Sequence, residues 1–377
     1  MSVTEKAEAP PSVLPGSDVL TNSSITTFAA CRKLYYWQYE MGWRPAREAQ
    51  PLRFGGGTHM GLDRLSINGD IEAACGAVED AYQQRIMDFS ASPAFADITY
   101  ELELEATTIQ RLLAGYADAY KDSPLEIVAS ETTFDLPIIN PETGRAAQIF
   151  RQAGRRDRLA RLPDGDLVLL ETKTAAEDIG PDSDFRKVLS LNQQLSMYTL
   201  AARAEGLDIS RIVYDVIRKP TIKPTMVPVV DEHGKKVVLD QYGKRVYTQT
   251  GTPRQTSDEN RGYALQTKPM TRKQWRMKLT ADIEARPDYY FQRFEVPRLE
   301  SDLDEFRHEL WDIAQTIHTC RKTGRWFRNT GACRRYNRLC DYYQLCSGET
   351  DTTNGCPAGF RQAEQAHEEL ADEGSEA

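Results

Sequence analysis

The stretch GRRDRLARLPDGDLVLLETKTAA, Gly154 to Ala176, decides how the chain is read. On both sides of Pro163-Asp164-Gly165, a turn signal, apolar and polar residues alternate as they do in half-buried strands. The stretch therefore predicts a hairpin with Asp157 on one strand and Glu171 and Lys173 on the next. Glu171 and Lys173 are two residues apart, so both side chains point to one face. Two carboxylates at one spot repel unless a positive charge lies between them, and one lysine does not neutralise two acids. A divalent cation would, and Mg²⁺ or Mn²⁺ takes oxygen ligands with water and phosphate completing the shell. A surface hairpin with a cross-strand salt bridge is the plainer reading of the same residues.

Strand signals surround the hairpin. EIVASETTFDLPI and AQIFRQAGRRDRLARL precede it, and RIVYDVIRK follows the helical SLNQQLSMYTLAARAEG. Helical spacing dominates upstream: a helix starts near Ser24 and carries Cys31, and two or three helices fill about 70–121. In LRFGGGTHMGLDRL the glycines read as a turn leading into a helix with His59 near its first turn. The sum is an α/β fold, a central mixed sheet flanked by helices.

Residues 1–20 read as a disordered arm, 21–346 as one domain and 347–377 as a flexible acidic tail. Within the domain the core spans about 125–220 and 268–300. A β-rich insertion takes about 221–268, and a cysteine-punctuated tail 320–346. The sequence shows no internal repeat and no G-x-x-x-x-G-K-[ST] loop, so any unwinding of nucleic acid falls to a partner.

Of 377 residues 40 % are apolar and 27 % charged, as in a soluble globular chain, and the absence of an ~18-residue apolar run argues against a membrane span. The start lacks a secretory pattern, which predicts a cytoplasmic protein. A net charge of −9 excludes a general basic coat. Locally, Arg151, Arg155, Arg156, Arg158 and Arg161 crowd around Asp157, as a solvated face or a phosphate-facing rim. Seven cysteines, an odd count, argue against a disulfide framework in such a chain and for a thiolate-bound metal or cluster. Cys75, on an amphipathic helix, reads as core packing. Tyr35, Tyr36 and Trp37 read as core packing before base stacking.

GRRDRL followed by DLVLLETKTA resembles the G-x-x-D … E-x-K core of the PD-(D/E)XK nucleases. QQLSMY resembles the Q-x-x-x-Y motif of their RecB-like branch, and GTHMGLDRL its upstream helix motif. The resemblance implies that Asp157 and Glu171 bind Mg²⁺ or Mn²⁺ with His59 as a further ligand, and that Lys173 positions the attacking water. It implies that Gln194 and Tyr198, one helical turn apart, contact DNA or order the site; Gln193 is the alternative to Gln194. Arg155 and Arg156 are the expected phosphate contacts. Iron–sulfur members of the branch, which include AddB-type subunits and CRISPR-adaptation exonucleases, place one cysteine before the core and three after it. By that likeness Cys31, Cys333, Cys340 and Cys346 would hold a structural [4Fe–4S] cluster, with Cys320 or Cys356 as substitutes. The expected activity is a deoxyribonuclease, an exonuclease on single-stranded ends, in recombination, repair or phage DNA processing, beside a helicase or recombination partner. A catalytically silent DNA-binding module of the same fold, or an unrelated zinc-binding protein, are the competing expectations.

Overall fold

The computed structural model describes residues 15–91, 95–335 and 338–370. The N-terminal part runs β1 (Val19–Leu20), α1 (Asn22–Ala30), α2 (Arg32–Tyr35) and β2 (Trp43–Pro45), then the long helices α3 (Gln50–Asn68), α4 (Ile71–Asp88) and α5 (Phe95–Ala119). Thr21 caps α1 in a reciprocal capping box with Ser24, close to the expected start. The expected helix through Cys31 breaks there: Cys31 is extended, with φ −164°, and α2 restarts at Arg32.

The sheet follows as β3 (Glu126–Ile139), β4 (Ala146–Arg161) and β5 (Leu167–Ala175), then α6 (Asp184–Leu189), α7 (Gln193–Ala204) and β6 (Ile209–Arg218). The insertion carries the short strands β7 (Met226–Pro228), β8 (Val238–Leu239), β9 (Ala264–Leu265) and β10 (Thr267–Pro269). After it come α8 (Arg272–Ala285), α9 (Pro287–Tyr290), β11 (Phe291–Glu295) and α10 (Glu300–Thr323). Last are β12 (Arg334–Arg335), β13 (Arg338–Leu339), α11 (Tyr343–Ser347) and β14 (Phe360–Gln362).

Six strands form one mixed sheet in the order β1-β4-β5-β6-β11, with β3 also on β4. β5 and β6 are parallel, as a strand–helix–strand crossover allows, whereas β3–β4, β4–β5 and β6–β11 are antiparallel. Helices cover both faces. One core joins Leu195, Met197 and Ala201 of α7 and Phe306, Leu310 and Ala314 of α10 to Leu159, Leu169 and Tyr214. The other joins α3, α4, α5 and α8 through Phe54, Val78, Ile109, Leu113 and Trp275 to Ile217 and Phe291.

One edge of β4 is divided. β3 pairs along its other edge, while this one meets β1 only at Arg151 and Gln152 and β5 only from Arg158 to Arg161. Between them, 153–157 face a notch in the sheet.

The glycines before His59 are not a turn. Gly55, Gly56, Gly57 and Gly61 lie inside α3, and His59 is in its third turn. A Cβ on Gly61 would stand 2.3 Å from Leu113 Cδ1, and one on Gly57 3.0 Å from Ile109 Cδ1. The glycines let α3 lie close against α5, at some cost in helix propensity.

Both ends need correction. Val19 and Leu20, expected in a disordered arm, pair with β4. Much of the expected flexible tail is built in: β14 pairs with β2, Ala363 and Ala366 are buried, and Ala366 N–H donates to Pro15 O at 2.9 Å. His367 is buried too, its Nε2 2.7 Å from Val19 O and its Nδ1 3.0 Å from Glu369. Residues 1–14 and 371–377 of those two segments lie outside the described residues. The insertion also carries a repeat. Asp231–Lys235 and Asp240–Lys244 make the same turn nine residues apart, each with Asp N–H donating to the Lys carbonyl at 2.9 Å and glycine at positive φ. No described helix is long and apolar enough to cross a membrane.

Candidate active site

The notch holds the acids. Beyond the Arg158–Leu170 pair β4 and β5 separate, and Asp157 Oδ2 accepts the Thr172 backbone N–H at 2.7 Å in place of a ladder bond. The same oxygen stands 3.5 Å from His59 Nδ1. Glu131 of β3 completes the group: ligand atoms of His59, Glu131 and Asp157 lie within 4.8 Å of one another. Glu131 has φ 50°, the only non-glycine residue with positive φ among those described. A left-handed conformation costs a non-glycine residue about 1–2 kcal/mol, and such strain collects at functional sites.

Glu171 lies beside this trio. It is buried, its Oε1 bound to Lys173 Nζ at 2.7 Å and its Oε2 without a hydrogen-bond partner. Burial and then the Asp157 charge push its carboxyl up to about 8. The same causes in the same order push Glu131 up to about 7. Desolvation, opposed by Asp157, lowers His59, so its imidazole is neutral near pH 7 and able to act as a ligand. The raised carboxyls, the neutral imidazole and the orphaned Oε2 form a donor set that fits a divalent cation.

Lys173 Nζ also donates to Gln194 Oε1 at 2.6 Å, and Gln194 Nε2 donates to Tyr198 OH at 2.9 Å. Burial alone would lower the Lys173 ammonium, but Glu171 and Asp157 more than offset it and keep it charged. Gln194 and Tyr198 are joined by one turn of α7, whereas Gln193 turns to Glu309 at 2.6 Å. Tyr198 packs edge-on against Phe134, their centroids 5.7 Å apart. Gly154 lies beneath that pair: a Cβ there would stand 2.7 Å from Phe134 and 3.1 Å from Tyr198. The glycine three residues before Asp157 is thus a matter of close approach.

The two arginines do not stand as expected. Arg156 is buried, bound to Glu205 at 2.6 Å and to Thr132, which corrects its assignment as a phosphate contact. Arg155 pairs with Glu131 at 3.5 Å and donates to Glu369 O at 3.0 Å, so it steadies the acidic group and the tail. Arg158 reaches behind the notch to Asp215, Tyr116 and Thr172. The sequence reading missed Glu131. Its one signal there is an acid in the middle of the otherwise apolar and hydroxyl-rich IVASETTF.

Far from the notch, Cys31, Cys333, Cys340 and Cys346 line one small cavity with Leu34, Tyr342 and Tyr343. None of the seven cysteines is in a disulfide. Trp37 Nε1 lies 3.3 Å from Cys346 Sγ, and Asn329 N–H points at Cys31 Sγ at 3.4 Å. Cys320 is packed in the main core, Cys356 is exposed and Cys75 lies against Gln110 O. Tyr35 and Trp37 are buried, as the core reading of that aromatic run expects.

A mixed sheet between helical layers, with an acid-lined notch in it, is a restriction-endonuclease-like architecture. The family model described as the PD-(D/E)XK nuclease superfamily matches residues 19–347, and the chain belongs to that superfamily. Membership points to nuclease activity on DNA with a divalent metal. No curated protein matches the chain. Among solved structures, "Crystal structure of SSO0001" matches at 12 % identity over 71 % of this chain and 76 % of that one, with a TM-score of 0.23. That superposition is too loose to bear on the site.

Proposed function

We propose that the chain is a metal-dependent deoxyribonuclease of the RecB-like branch, acting as an exonuclease on single-stranded ends. The observation that carries this is the meeting of His59, Glu131 and Asp157 beside the Glu171–Lys173–Gln194 chain of contacts. His59, Asp157, Glu131 and the nearby Glu171 would hold Mn²⁺ or Mg²⁺, which supplies a Lewis acid for the phosphate and for the attacking water. Lys173, fixed between Glu171 and Gln194, orients that water and stabilises charge on the phosphate. Tyr198 holds Gln194 in place from the next turn of α7.

The four thiols around the second cavity suit a [4Fe–4S] cluster: they converge from both ends of the chain, and N–H groups point at two sulfurs. Such a cluster would staple α2 to α11. Work in phage or cellular DNA recombination or repair, in the cytoplasm and beside a helicase, follows from the branch by analogy.

The test is Mn²⁺-dependent degradation of end-labelled single-stranded DNA by wild type and Lys173→Ala, both purified anaerobically. Wild type should cut and the variant should lose at least 100-fold. Equal cutting by both would place the chemistry elsewhere. No cutting by either, with both folded and carrying iron, would leave a DNA-binding module.

A further inference from the structure

A buried polar cluster lies on the face of the sheet turned away from Glu171 and Lys173. Side chains alternate along a strand, so Thr172 points away from its two neighbours, and Arg158 points away from Asp157. Thr172, Asp215 and Arg293 are register partners across β5, β6 and β11 and form one row on that face. Tyr116 of α5 joins the row: its hydroxyl donates to Asp215 Oδ2, and Arg158 and Arg293 each donate to it at 2.9 Å. The same Asp215 oxygen accepts from Arg158 at 2.9 Å and from Arg293 at 3.1 Å.

Arg158, Thr172, Asp215 and Tyr116 are all buried. Well-packed apolar residues in place of a buried ion pair often stabilise a fold as well or better, so stability alone does not explain this cluster. Its link to the notch is Thr172. Arg158 Nη2 donates to Thr172 Oγ1 at 2.6 Å, and the Thr172 backbone N–H donates to Asp157 Oδ2 at 2.7 Å. Two consecutive residues of β4 thus grip one residue of β5, just past Arg158–Leu170, where the ladder between the strands stops. Hydrogen bonds from an outer layer of groups are what orient the ligands of a metal.

We infer that Thr172 is a positioning residue for the Asp157 carboxylate, its own place fixed by the Arg158 guanidinium, which spans Thr172 and Asp215. The inference rests on the metal reading of the notch and goes beyond it: the aim of Asp157 at the cation is set from the far face of the sheet, by residues that touch neither metal nor DNA.

The probe is Mn²⁺, titrated calorimetrically into the full chain, with thermal melts of the metal-free protein alongside. Thr172→Val keeps the shape, the β-branch and the backbone N–H, and removes only the hydroxyl. It should bind Mn²⁺ about tenfold or more weakly. Thr172→Ser, which keeps the Oγ acceptor, should bind as wild type does. DNA cutting by Thr172→Val should recover in excess Mn²⁺, with KM for DNA unchanged. A lower melting temperature with wild-type Mn²⁺ affinity is what a merely structural role gives, and it overturns the inference. So does an equal loss of affinity in Thr172→Ser, or a wild type that binds no Mn²⁺. If Thr172→Val fails to fold, Arg158→Lys decides the matter, because it keeps the buried charge and lacks the planar fork. It too should weaken Mn²⁺ binding, and wild-type affinity in it overturns the inference. DNA cutting by the same preparations separates the two readings. A wild type that cuts, with Thr172→Val binding Mn²⁺ normally, overturns the positioning role alone. A wild type that binds Mn²⁺ and never cuts, with affinity lost in Thr172→Val and kept in Thr172→Ser, supports the positioning role and overturns the nuclease.

Discussion

Thr172 donates its backbone N–H to Asp157 Oδ2 across the gap where β4 and β5 part, at 2.7 Å. One carboxylate oxygen therefore serves both the sheet and the histidine 3.5 Å away. Asp157→Asn can present an amide oxygen to the same N–H, so its melting temperature should stay near that of wild type while Mn²⁺ affinity falls. Asp157→Ala leaves the buried N–H unsatisfied and should also lose about 1–3 kcal/mol of stability. Thermal melts beside metal titrations separate the two effects.

Metal and protons should compete at this site. Burial and the Asp157 charge push Glu131 up to about 7 and Glu171 up to about 8, and a metal held by both would need them as carboxylates. Mn²⁺ affinity should climb as the pH rises through 7 and level off above 8. Calorimetry at pH 7 in buffers of different ionisation enthalpy should detect proton release on binding. Release that is absent would place the metal on other ligands.

The same shift has a consequence for stability. A carboxyl that ionises near pH 4.3 in the unfolded chain and at about 8 in the fold binds its proton more tightly in the native state. Metal-free stability should therefore decline as the pH rises between those two values. Glu171→Gln keeps an acceptor for Lys173 and removes the buried charge. At pH 8 it should stabilise the metal-free protein by about 1–3 kcal/mol while abolishing DNA cutting. Chemical denaturation with and without EDTA checks it.

Gly154→Val tests the reason for the glycine before Asp157. A Cβ collides with Phe134 and Tyr198, so the variant should lose about 1–3 kcal/mol and disturb the Gln194 contact. Gly165→Ala, in open space but at φ 95°, should lose stability without affecting cutting.

Glu79 and Arg272 tie α4 to the N-terminus of α8, with Arg272 Nη1 2.8 Å from Glu79 Oε1. The hydrogen bonds from Arg272 hold the Glu79 carboxyl down to about 2. Its folded value is depressed, so its contribution is present above the ordinary glutamate range and lost as the pH falls toward 2. The pair is partly exposed, which keeps that contribution small. Glu79→Gln should flatten the acid limb of the stability curve rather than shift the neutral value much.

The hairpin and the pairing of Gln194 with Tyr198 were readable because each depends on local period or on residue type. What could not be read depends on distant partners. Gly57 and Gly61 look like a turn until Ile109 and Leu113 arrive from α5. Arg156 looks like a phosphate contact until Glu205 claims it. Glu131 becomes part of the acidic group only through the register of β3 on β4 and a left-handed backbone that no pattern announces. The tail looks solvated by its acids, yet Arg361 holds Glu368 at 2.6 Å and His367 lies under Val19.

The bond from Ala366 to Pro15 brings two remote points of the chain into contact, next to the β1–β4 pairing. In connectivity the fold is close to a ring. A circular permutant joined between those residues and opened within 229–262 would keep every strand pairing of the central sheet, and its new termini would lie in the insertion, beyond the ends of the strands that carry the acids.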